Sequence, residues 1–376
     1  ASINNSNYPI TGTGLTSGVW IANYDNPDVK WEQAQSLNLG LDFTLLHHKL
    51  DGSFDVYNKT TKDMLYLLDL PAQAIGGGQS PYVNLGEMSN KGFELVLNYH
   101  YTSHAASNPF TFDAGVNFSR NVNKLVSLSE GIKKVNILSN RSVIPSVIME
   151  GLPFGAFYGY QVEGLFKSAD EISSAATQTG AHLGGFRYAD INKDGVIDDN
   201  DLTYIGSPHP NFIYGVNLNA SYYNFDISLS FNGSQGNKNF DMTRLYTDLS
   251  LFDGAVSDRM LNAWSPENTN SNIPAPYRNR PSIEMLSNSY FVQDASYMKL
   301  KLAQIGYNFK MNGMLKEKIK NLRLYVSATN LFTITKYSGL DPEVTSSPGS
   351  LFNAPGVDMG MYPMSRQYLV GLNVTF

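Results

Sequence analysis

FIYGVNLNASYYNFDISLSFN, residues 212–232, shows the clearest alternation of apolar and polar residues in the chain. Apolar residues fill every second position on both sides of Tyr223 and Asn224, and mostly small polar residues lie between them. The apolar series is Phe212, Tyr214, Val216, Leu218, Ala220 and Tyr222, followed by Phe225, Ile227, Leu229 and Phe231. A period of two indicates a β-strand, and two such runs joined by two residues indicate a hairpin. The sequence therefore predicts an antiparallel strand pair with one apolar and one polar face.

The same alternation recurs along the chain and predicts about eleven strands in all. The other clear runs are Gln35 to Leu46, Lys49 to Val56, Phe93 to Tyr101, Phe110 to Phe118, Tyr297 to Phe309, Leu322 to Leu331 and Tyr368 to Phe376. Two weaker runs, Arg141 to Glu150 and Gly155 to Gly164, are separated by the breaker Gly151-Leu152-Pro153. Between Leu302 and Ile305 the apolar positions change phase, which predicts a β-bulge.

The connections between the strands alternate between very short and very long ones. The longest are Thr61 to Lys91, Lys167 to Pro210 and Gly233 to Ala295. In barrels of the bacterial outer membrane, strands of roughly 9 to 11 residues cross the bilayer, tight turns lie on the periplasmic side and long loops face outward. The sequence therefore predicts an all-β fold, an antiparallel transmembrane β-barrel, with the C-terminal Phe376 on the periplasmic side.

The composition agrees with this fold and argues against several other classes of protein. The chain has 376 residues, with 23 Tyr, 20 Phe and 32 Gly, and aromatic girdles and strand corners use these residue types. It has no cysteine, which excludes cysteine-based metal sites and nucleophiles. A net charge of -6 argues against binding of nucleic acid. No set of acid, base and nucleophile stands out, so we do not expect an enzyme.

Residues 1–376 contain no linker or low-complexity tract, and we interpret them as a single β region. An even number of strands returns both ends of a bacterial barrel to the same side, and eleven is odd. We therefore expect this region to be part of a larger barrel, with further structure preceding Gln35.

The segment from Asp190 to Asp201, DINKDGVIDDND, matches the spacing of a calcium-binding EF-hand loop. Its predicted ligands are the side chains of Asp190, Asn192, Asp194, Asp198 and Asp201 and the main-chain carbonyl of Val196. Gly195 occupies the position of the sharp turn, and hard oxygen ligands in this number suit Ca²⁺. Position 12 is Asp201 rather than Glu, and no helix pair flanks the loop, which favours a structural Ca²⁺ within an outward loop. The alternative is a polar turn without an ion.

Aromatic residues in the longest loop are candidates for substrate binding. Trp264, Tyr277 and Tyr290 could stack on sugar rings or on peptide side chains, and Arg278 could bind a polar group of the same ligand. The alternative is that the aromatic residues pack the loop and that Arg278 stays solvated. The sequence leaves both open.

Several short motifs resemble the SusC/RagA family of TonB-dependent outer-membrane transporters, in the C-terminal part of its barrel, and the resemblance covers nearly the whole chain. Before the first clear strand stands Asn26-Pro27-Asp28-Val29-Lys30-Trp31-Glu32. The other motifs are Asn84-Leu85-Gly86 with Asn90-Lys91-Gly92-Phe93-Glu94, Phe157-Tyr158-Gly159-Tyr160 with Gly164-Leu165-Phe166, the 190–201 loop with Tyr204-Ile205-Gly206-Ser207-Pro208, Trp264-Ser265-Pro266-Glu267-Asn268, Ala328-Thr329-Asn330-Leu331-Phe332 and the terminal Phe376.

This resemblance implies a 22-stranded barrel, of which the present residues are the C-terminal half, without the N-terminal plug and the first strands. It also implies a SusD-like surface lipoprotein that delivers oligosaccharides or peptides, and TonB-driven uptake through the missing N-terminal part. The expected function is therefore a component of an outer-membrane active importer, in contact with the lipid bilayer and the remainder of the barrel. The alternative is a secreted, soluble, calcium-stabilised glycan-binding module, whose apolar faces would be buried against each other.

Overall fold

The computed structural model describes residues 2–11, 14–23, 26–67, 81–103, 110–137, 143–249, 254–310, 318–344 and 354–376. The first two of these ranges form a hairpin of their own, β1 (Ser2–Thr11) with β2 (Gly14–Asn23), in antiparallel register. Their sequences alternate poorly, so the periodicity did not predict them.

Nine long strands form one continuous antiparallel sheet, which we call the wall. They are β3 (Gln33–Leu45), β4 (Leu50–Lys62), β7 (Gly86–Thr102), β8 (Phe110–Leu128), β15 (Phe212–Tyr222), β16 (Phe225–Gln235), β19 (Tyr297–Phe309), β20 (Asn321–Thr335) and β22 (Gln367–Thr375). Their spatial order is β22-β20-β19-β16-β15-β8-β7-β4-β3, which is also the order along the chain. Each wall strand between the edge strands β3 and β22 thus pairs with the wall strands before and after it in the chain, as in an up-and-down barrel. The prediction of an all-β antiparallel fold is confirmed.

The two faces of the wall are chemically different, as the alternation predicts. One row of paired residues crosses all nine strands and is apolar: Leu45, Leu50, Tyr99, Ala114, Leu218, Leu229, Ala303, Ala328 and Tyr368. The next row lies on the other face and is mostly polar: Thr44, Asp51, Asn98, Gly115, Asn217, Ser230, Leu302, Thr329 and Gln367. Such rows suit a sheet with lipid on one side and water on the other.

The four long connections all leave the wall at the same end, because they alternate with short ones in an antiparallel sheet. We call residues 63–85, 129–211, 236–296 and 336–366 the cap. The short strands of the cap are β5 (Leu65–Leu67), β6 (Tyr82–Asn84), β9 (Lys134–Asn136), β10 (Ser146–Met149), β11 (Ala156–Gly159), β12 (Val162–Leu165), β13 (Phe186–Tyr188), β14 (Thr203–Gly206), β17 (Lys238–Asp241), β18 (Val292–Asp294) and β21 (Val357–Asp358). Its helices are α1 (Ala169–Ser174) and α2 (Thr243–Thr247), with 3-10 turns at Asp199–Asp201, Asp258–Asn262, Ser282–Met285 and Ser289–Phe291.

The hydrophobic core lies in the cap rather than against the wall. Phe157, Phe240 and Phe291 are fully buried, with ring centroids 5.7 Å apart for the first pair and 5.3 Å for the second. On the wall, Leu37 and Leu39 of β3 are instead 74% and 77% exposed. Apolar side chains are stable in this position when lipid covers them.

Two of the predicted strand runs do not belong to the wall. The described part of the run from Arg141 to Glu150 forms β10, and the run from Gly155 to Gly164 forms β11 and most of β12; residues 141 and 142 lie outside the described residues. β10 and β11 belong to a four-stranded sheet of the cap with the order β14-β11-β10-β9, and β12 pairs with β13. β10, β11 and β12 are only four residues long, so they are too short to cross a bilayer, and β10 and β11 are largely buried. The long strands nevertheless number eleven among the described residues, because β1 and β2, which were not predicted, add to the nine of the wall.

The β-bulge in β19 is present but lies earlier than predicted. It falls between Leu300 and Leu302, where Lys301 is the extra residue, and not between Leu302 and Ile305. The strand β20 adapts with Asn330, which adopts a left-handed φ of 51°. Among the described residues, no helix is long and apolar enough to cross a membrane.

Candidate functional site

The predicted calcium loop folds as a series of turns that its own acidic side chains hold in place. Asp190 accepts hydrogen bonds from the amides of Lys193 (2.7 Å) and Gly195 (2.9 Å) through its two carboxylate oxygens. Asp194 likewise accepts from the amide of Val196 at 2.9 Å. Gly195 has a φ of 84°, which only glycine adopts readily, so the turn predicted at this position is present.

Asp201 closes the loop from its interior. Its carboxylate is fully buried and accepts hydrogen bonds from the amides of Ile191 (2.8 Å) and Asp198 (2.9 Å). Each carboxylate oxygen has two lone pairs, so these hydrogen bonds leave capacity for a cation. Within the described ranges, however, no three His, Asp or Glu side chains converge on a point that could hold a metal ion. The oxygen ligands are of the type that Ca²⁺ prefers, but in this structure they do not converge, and binding by this loop stays a prediction.

Two of the four candidate substrate-binding residues are packed inside the cap. Trp264 is 7% exposed and belongs to the hydrophobic core, against Gly184, where a Cβ atom would come within 2.5 Å of the indole ring. Tyr290 is half-buried, and its hydroxyl donates to Asp248 at 2.6 Å while the guanidinium of Arg244 lies 5.0 Å from its ring. Burial and the carboxylate of Asp248 raise the pKa of Tyr290 far above its ordinary value. These two side chains hold the cap together in this structure.

The other two candidates lie on the surface. Tyr277 is 47% exposed and stacks on the imidazole of His182, with the ring centroids 4.6 Å apart. Arg278 is exposed beside it. The neighbouring Arg280 is instead buried, donates to Glu284 at 2.7 Å and to the carbonyl of Ala275, and so has a structural role. Tyr277 and Arg278 are thus the candidates with accessible side chains.

A buried polar network, which the sequence did not predict, joins the 236–296 loop to the 336–366 loop. Asp241 at the end of β17 accepts from Gln293 at 2.7 Å, and Asp358 in β21 accepts from the hydroxyl of Tyr337 at 2.6 Å. Burial raises the pKa of Asp241, which the nearby Asp358 also favours, against the opposing effect of Thr243 and Arg244. No local sequence pattern predicts this network, because its members are up to about a hundred residues apart and meet only through the β17–β21 pairing.

A second ionic cluster fastens the loop after β20 to the wall. Lys299, whose side chain is buried, contacts Asp341 at 3.1 Å and also Glu343, while Lys301 at the bulge contacts Glu343 at 2.8 Å. Burial alone would raise the pKa of Glu343, but hydrogen bonds from the two lysines and from Tyr297 outweigh it and lower the pKa to about 2. Lys299 and Lys301 thus share the carboxylate of Glu343.

A cavity of about 220 Å³ lies beside the 190–201 loop, on the face of the four-stranded cap sheet that carries Val147 and Tyr158. Tyr158, Tyr160 and Asp199 line it, and the hydroxyl of Tyr160 donates to Asp199 at 3.4 Å. Burial, with the carboxylate of Asp199, raises the pKa of Tyr160 to about 12. In the sequence, two of the residues that line this cavity belong to the Phe157-Tyr158-Gly159-Tyr160 motif. The alternation in this segment predicts a strand but not a cavity.

Comparison with known proteins identifies relatives of the chain. The family described as "TonB dependent receptor-like, beta-barrel" matches residues 2–331. TonB-dependent receptor P3 of Formosa agariphila is 36% identical over 98% of this chain, and TonB-dependent receptor SusC of Bacteroides thetaiotaomicron is 28% identical over 93%. The chain spans only 36% and 32% of the lengths of these two proteins.

Solved structures give the same result for the fold. The structure described as "Structure of the RagAB peptide transporter" superposes with a TM-score of 0.79 at 26% sequence identity. It covers 100% of this chain, which in turn covers 38% of that chain. Its strands and those of the wall therefore follow the same path.

Proposed function

Since this chain belongs to the TonB-dependent receptor-like β-barrel family of the outer membrane and is SusC/RagA-like, we propose that it forms part of an active importer for oligosaccharides or oligopeptides. The family consists of transporters and receptors rather than enzymes. In this proposal the nine wall strands, together with β1 and β2, form half of a 22-stranded barrel, and the cap contacts the arriving nutrient. The chain contributes binding and a gated passage, with no covalent chemistry.

One observation carries the proposal most directly: the wall has one apolar and one polar face, and both are exposed in the middle of its strands. Leu39 is 77% exposed on the apolar face, while Asn217 is exposed on the polar face. A soluble module would bury its apolar faces against each other. A barrel wall needs lipid outside and a hydrated interior, which the two faces supply.

Uptake by the full-length parent tests this function. We expect cells that carry the parent to accumulate labelled oligosaccharides or oligopeptides, and cells that lack TonB to lose this uptake. A parent that imports neither class of nutrient, although it is folded in the outer membrane, would count against the proposal.

The proposed partners are a SusD-like surface lipoprotein at the cap and TonB at the part of the parent that this chain does not include. The RagAB structures resemble the chain and are described as those of a peptide importer, which supports an assembly of this type. Native mass spectrometry of the parent, extracted in detergent, should show an added lipoprotein and ligand mass. A species that stays monodisperse without detergent and without a lipoprotein would support the soluble module instead.

In the proposed orientation the cap faces outward and Phe376 lies at the periplasmic end of β22. An epitope inserted in the cap at Asp258 should then be accessible to antibody on intact cells. An epitope in the turn after Tyr223 should be accessible only after the outer membrane is permeabilised. The reverse pattern would overturn the orientation.

We further propose that the 190–201 loop binds a structural Ca²⁺ through Asp190, Asn192, Asp194, the Val196 carbonyl, Asp198 and Asp201. Titration calorimetry of the parent with Ca²⁺ should give one binding event that the Asp190→Ala, Asp194→Ala variant loses. The Asp170→Ala variant, which removes an exposed carboxylate of α1, is the matched control and should bind as the parent does. Unchanged binding by the double variant would rule out this site.

For substrate contact, we propose that Tyr277 and Arg278 touch the ligand directly, while Trp264 and Tyr290 position the segment that carries them. Tyr277→Ala should weaken ligand binding to the parent with little loss of thermal stability, since Tyr277 is 47% exposed. Trp264→Ala should lower stability as well, by about 3–5 kcal/mol for a buried aromatic side chain. Equal binding by Tyr277→Ala and the parent would remove Tyr277 from the site.

A further inference from the structure

The 220 Å³ cavity beside the 190–201 loop has apolar walls. Its aliphatic lining comes from Ile144, Val147, Leu202 and Leu286, and the rings of Tyr158 and Tyr160 complete it. Sites for drug-sized ligands have volumes of about 300–1,000 Å³. The cavity therefore has room for a single side chain or ring and not for a whole oligomer.

Its few polar groups are placed at one wall and at the rim. Ser287 is 7% exposed, lines the cavity, and its hydroxyl has no hydrogen-bond partner among the described residues. A buried hydroxyl without a partner is costly, and a ligand that supplies one removes this cost. At the rim, the exposed Lys134 lies with its ammonium 5.3 Å from the ring of Tyr158, and the exposed Asp199 carries the opposite charge.

This lining distinguishes between the two nutrient classes of the proposed importer. A sugar ring carries a hydroxyl on most of its carbons, and four aliphatic walls would leave most of these hydroxyls without partners. An apolar amino-acid side chain needs no such partners and gains from the same walls. Its main chain offers an N–H to Asp199 and a carbonyl or carboxylate to Lys134, while the Ser287 hydroxyl can bind one further main-chain group.

We infer that this cavity is a subsite for one apolar side chain of a peptide, with the peptide main chain held at the rim by Lys134 and Asp199. The inference rests on the proposed import function and narrows its substrate class to peptides. The similarity to a peptide transporter agrees with this choice, although the argument stands on the lining alone.

The test compares binding of three probes to the full-length parent in detergent: Gly-Gly-Leu-Gly-Gly, Gly-Gly-Ser-Gly-Gly and maltopentaose. We expect the leucine peptide to bind at least tenfold more tightly than the serine peptide. Leu286→Trp, which fills the cavity, should abolish this preference. Leu183→Trp is the matched control, because Leu183 is 44% exposed outside the cavity, and it should keep the preference.

A second pair of variants tests the rim without disturbing packing. Lys134→Glu should weaken binding of both peptides at least fivefold, whereas Lys133→Glu, an exposed neighbour outside the cavity, should change it less than twofold. Equal leucine preference in Leu286→Trp and the parent would overturn the inference, as would tight maltopentaose binding that Leu286→Trp weakens. If the parent imports nutrients but gives either of these two contradicting results, only the subsite is ruled out. If the parent imports no nutrient, the proposed import function is ruled out as well.

Discussion

Asn330 is a residue type that suits the left-handed backbone conformation required at its position. It lies in β20 opposite the bulge at Lys301, has a φ of 51°, and donates from its side chain to the carbonyl of Ser365 at 3.1 Å. Asparagine tolerates the left-handed region far better than β-branched residues do. The Ala328-Thr329-Asn330-Leu331-Phe332 motif therefore contains the residue that this bulge needs, although the sequence predicted the bulge a few positions too late.

Replacement of Asn330 tests this reading. We expect Asn330→Val to lower the free energy of unfolding of the parent by about 2 kcal/mol, because a β-branched residue is strained at this φ and the hydrogen bond is lost. Asn330→Gly loses the same hydrogen bond and raises the entropy of the unfolded chain, but glycine is unstrained at this φ, so the substitution should cost only about 1 kcal/mol. Urea unfolding in phospholipid vesicles, followed by tryptophan fluorescence, measures both. Equal losses in the two variants would show that the backbone conformation is not the cause.

Glu343 gives the ionic cluster on the wall a defined pH dependence. Its pKa is about 2, below the ordinary value of 4.5, so its ionised form stabilises the folded state. This contribution is present above pH 4.5 and is lost as the pH falls from there towards 2. Hydrogen-exchange protection factors correct for the effect of pH on the intrinsic exchange rate. For residues 337–344 they should fall as the pH is lowered from 4.5 towards 2.

Two variants separate Glu343 from general acid effects. Glu343→Gln should show low protection in this loop at every pH, and Glu130→Gln, an exposed carboxylate elsewhere in the cap, should behave as the parent does. Only the pH of the labelling step is varied. The quench and the detection conditions are the same for every sample, so the readouts at different pH values can be compared. A loop in Glu343→Gln that keeps the parent's pH dependence would assign the effect to another group.

The roles of individual residues were predictable only where the spacing itself was informative. The calcium-type loop follows from a local pattern, and its turn at Gly195 is present. The candidate Trp264 shows the opposite case: its chemistry permits stacking on a ligand, but its burial depends on Gly184, eighty residues earlier. The short sequence around Trp264 contains no signal for that contact.

At the scale of the element, the alternation of apolar and polar residues predicts strands whose two faces have different surroundings. It does not predict strands that are buried on both faces. The nine wall strands alternate because one face of the sheet is apolar and the other polar, although their ends extend beyond the predicted runs. In β10, three of the four residues are buried, so its sequence is a short run without a period of two and does not show which face of the strand is exposed. The assignment of β10 and β11 to the wall was wrong for this reason.

The turn between β3 and β4 offers a test of element stability. Leu46, His47 and His48 all have φ values between 54° and 64°, a region that costs non-glycine residues about 1–2 kcal/mol each. Glycine removes this strain at His48 but increases the entropy of the unfolded chain by about 0.4–1 kcal/mol. We therefore expect His48→Gly to stabilise the parent by about 0.5–1 kcal/mol and His48→Ala to leave it nearly unchanged. Urea unfolding in vesicles measures this, and a destabilised His48→Gly would contradict the strain argument.

At the scale of the whole molecule, the alternation of short and long connections carries the most information. It predicts that all long loops gather at one end of the sheet, and the cap with its own hydrophobic core is the result. The contents of the cap were not predictable in the same way, because its small sheets and ionic clusters pair residues from loops far apart in the chain. A barrel wall is built from neighbours in sequence, whereas the cap is built from long-range contacts.

The two residues in the middle of β15 allow the orientation of the whole wall to be measured. Leu218 belongs to the apolar row and Asn217 to the polar row, so one substitution can be placed on each face of the same strand. An arginine on the lipid face near the middle of the bilayer costs about 2–4 kcal/mol, while an arginine in a hydrated interior costs little. Leu218→Arg should therefore lower the free energy of unfolding of the parent in phospholipid vesicles by about 2–4 kcal/mol, and Asn217→Arg by less than about 1 kcal/mol. Because both variants carry the same new charge in the same strand, the difference between them reports only which face meets lipid. Equal losses would mean that both faces have the same surroundings, and a larger loss for Asn217→Arg would place the polar row against the lipid and reverse the wall.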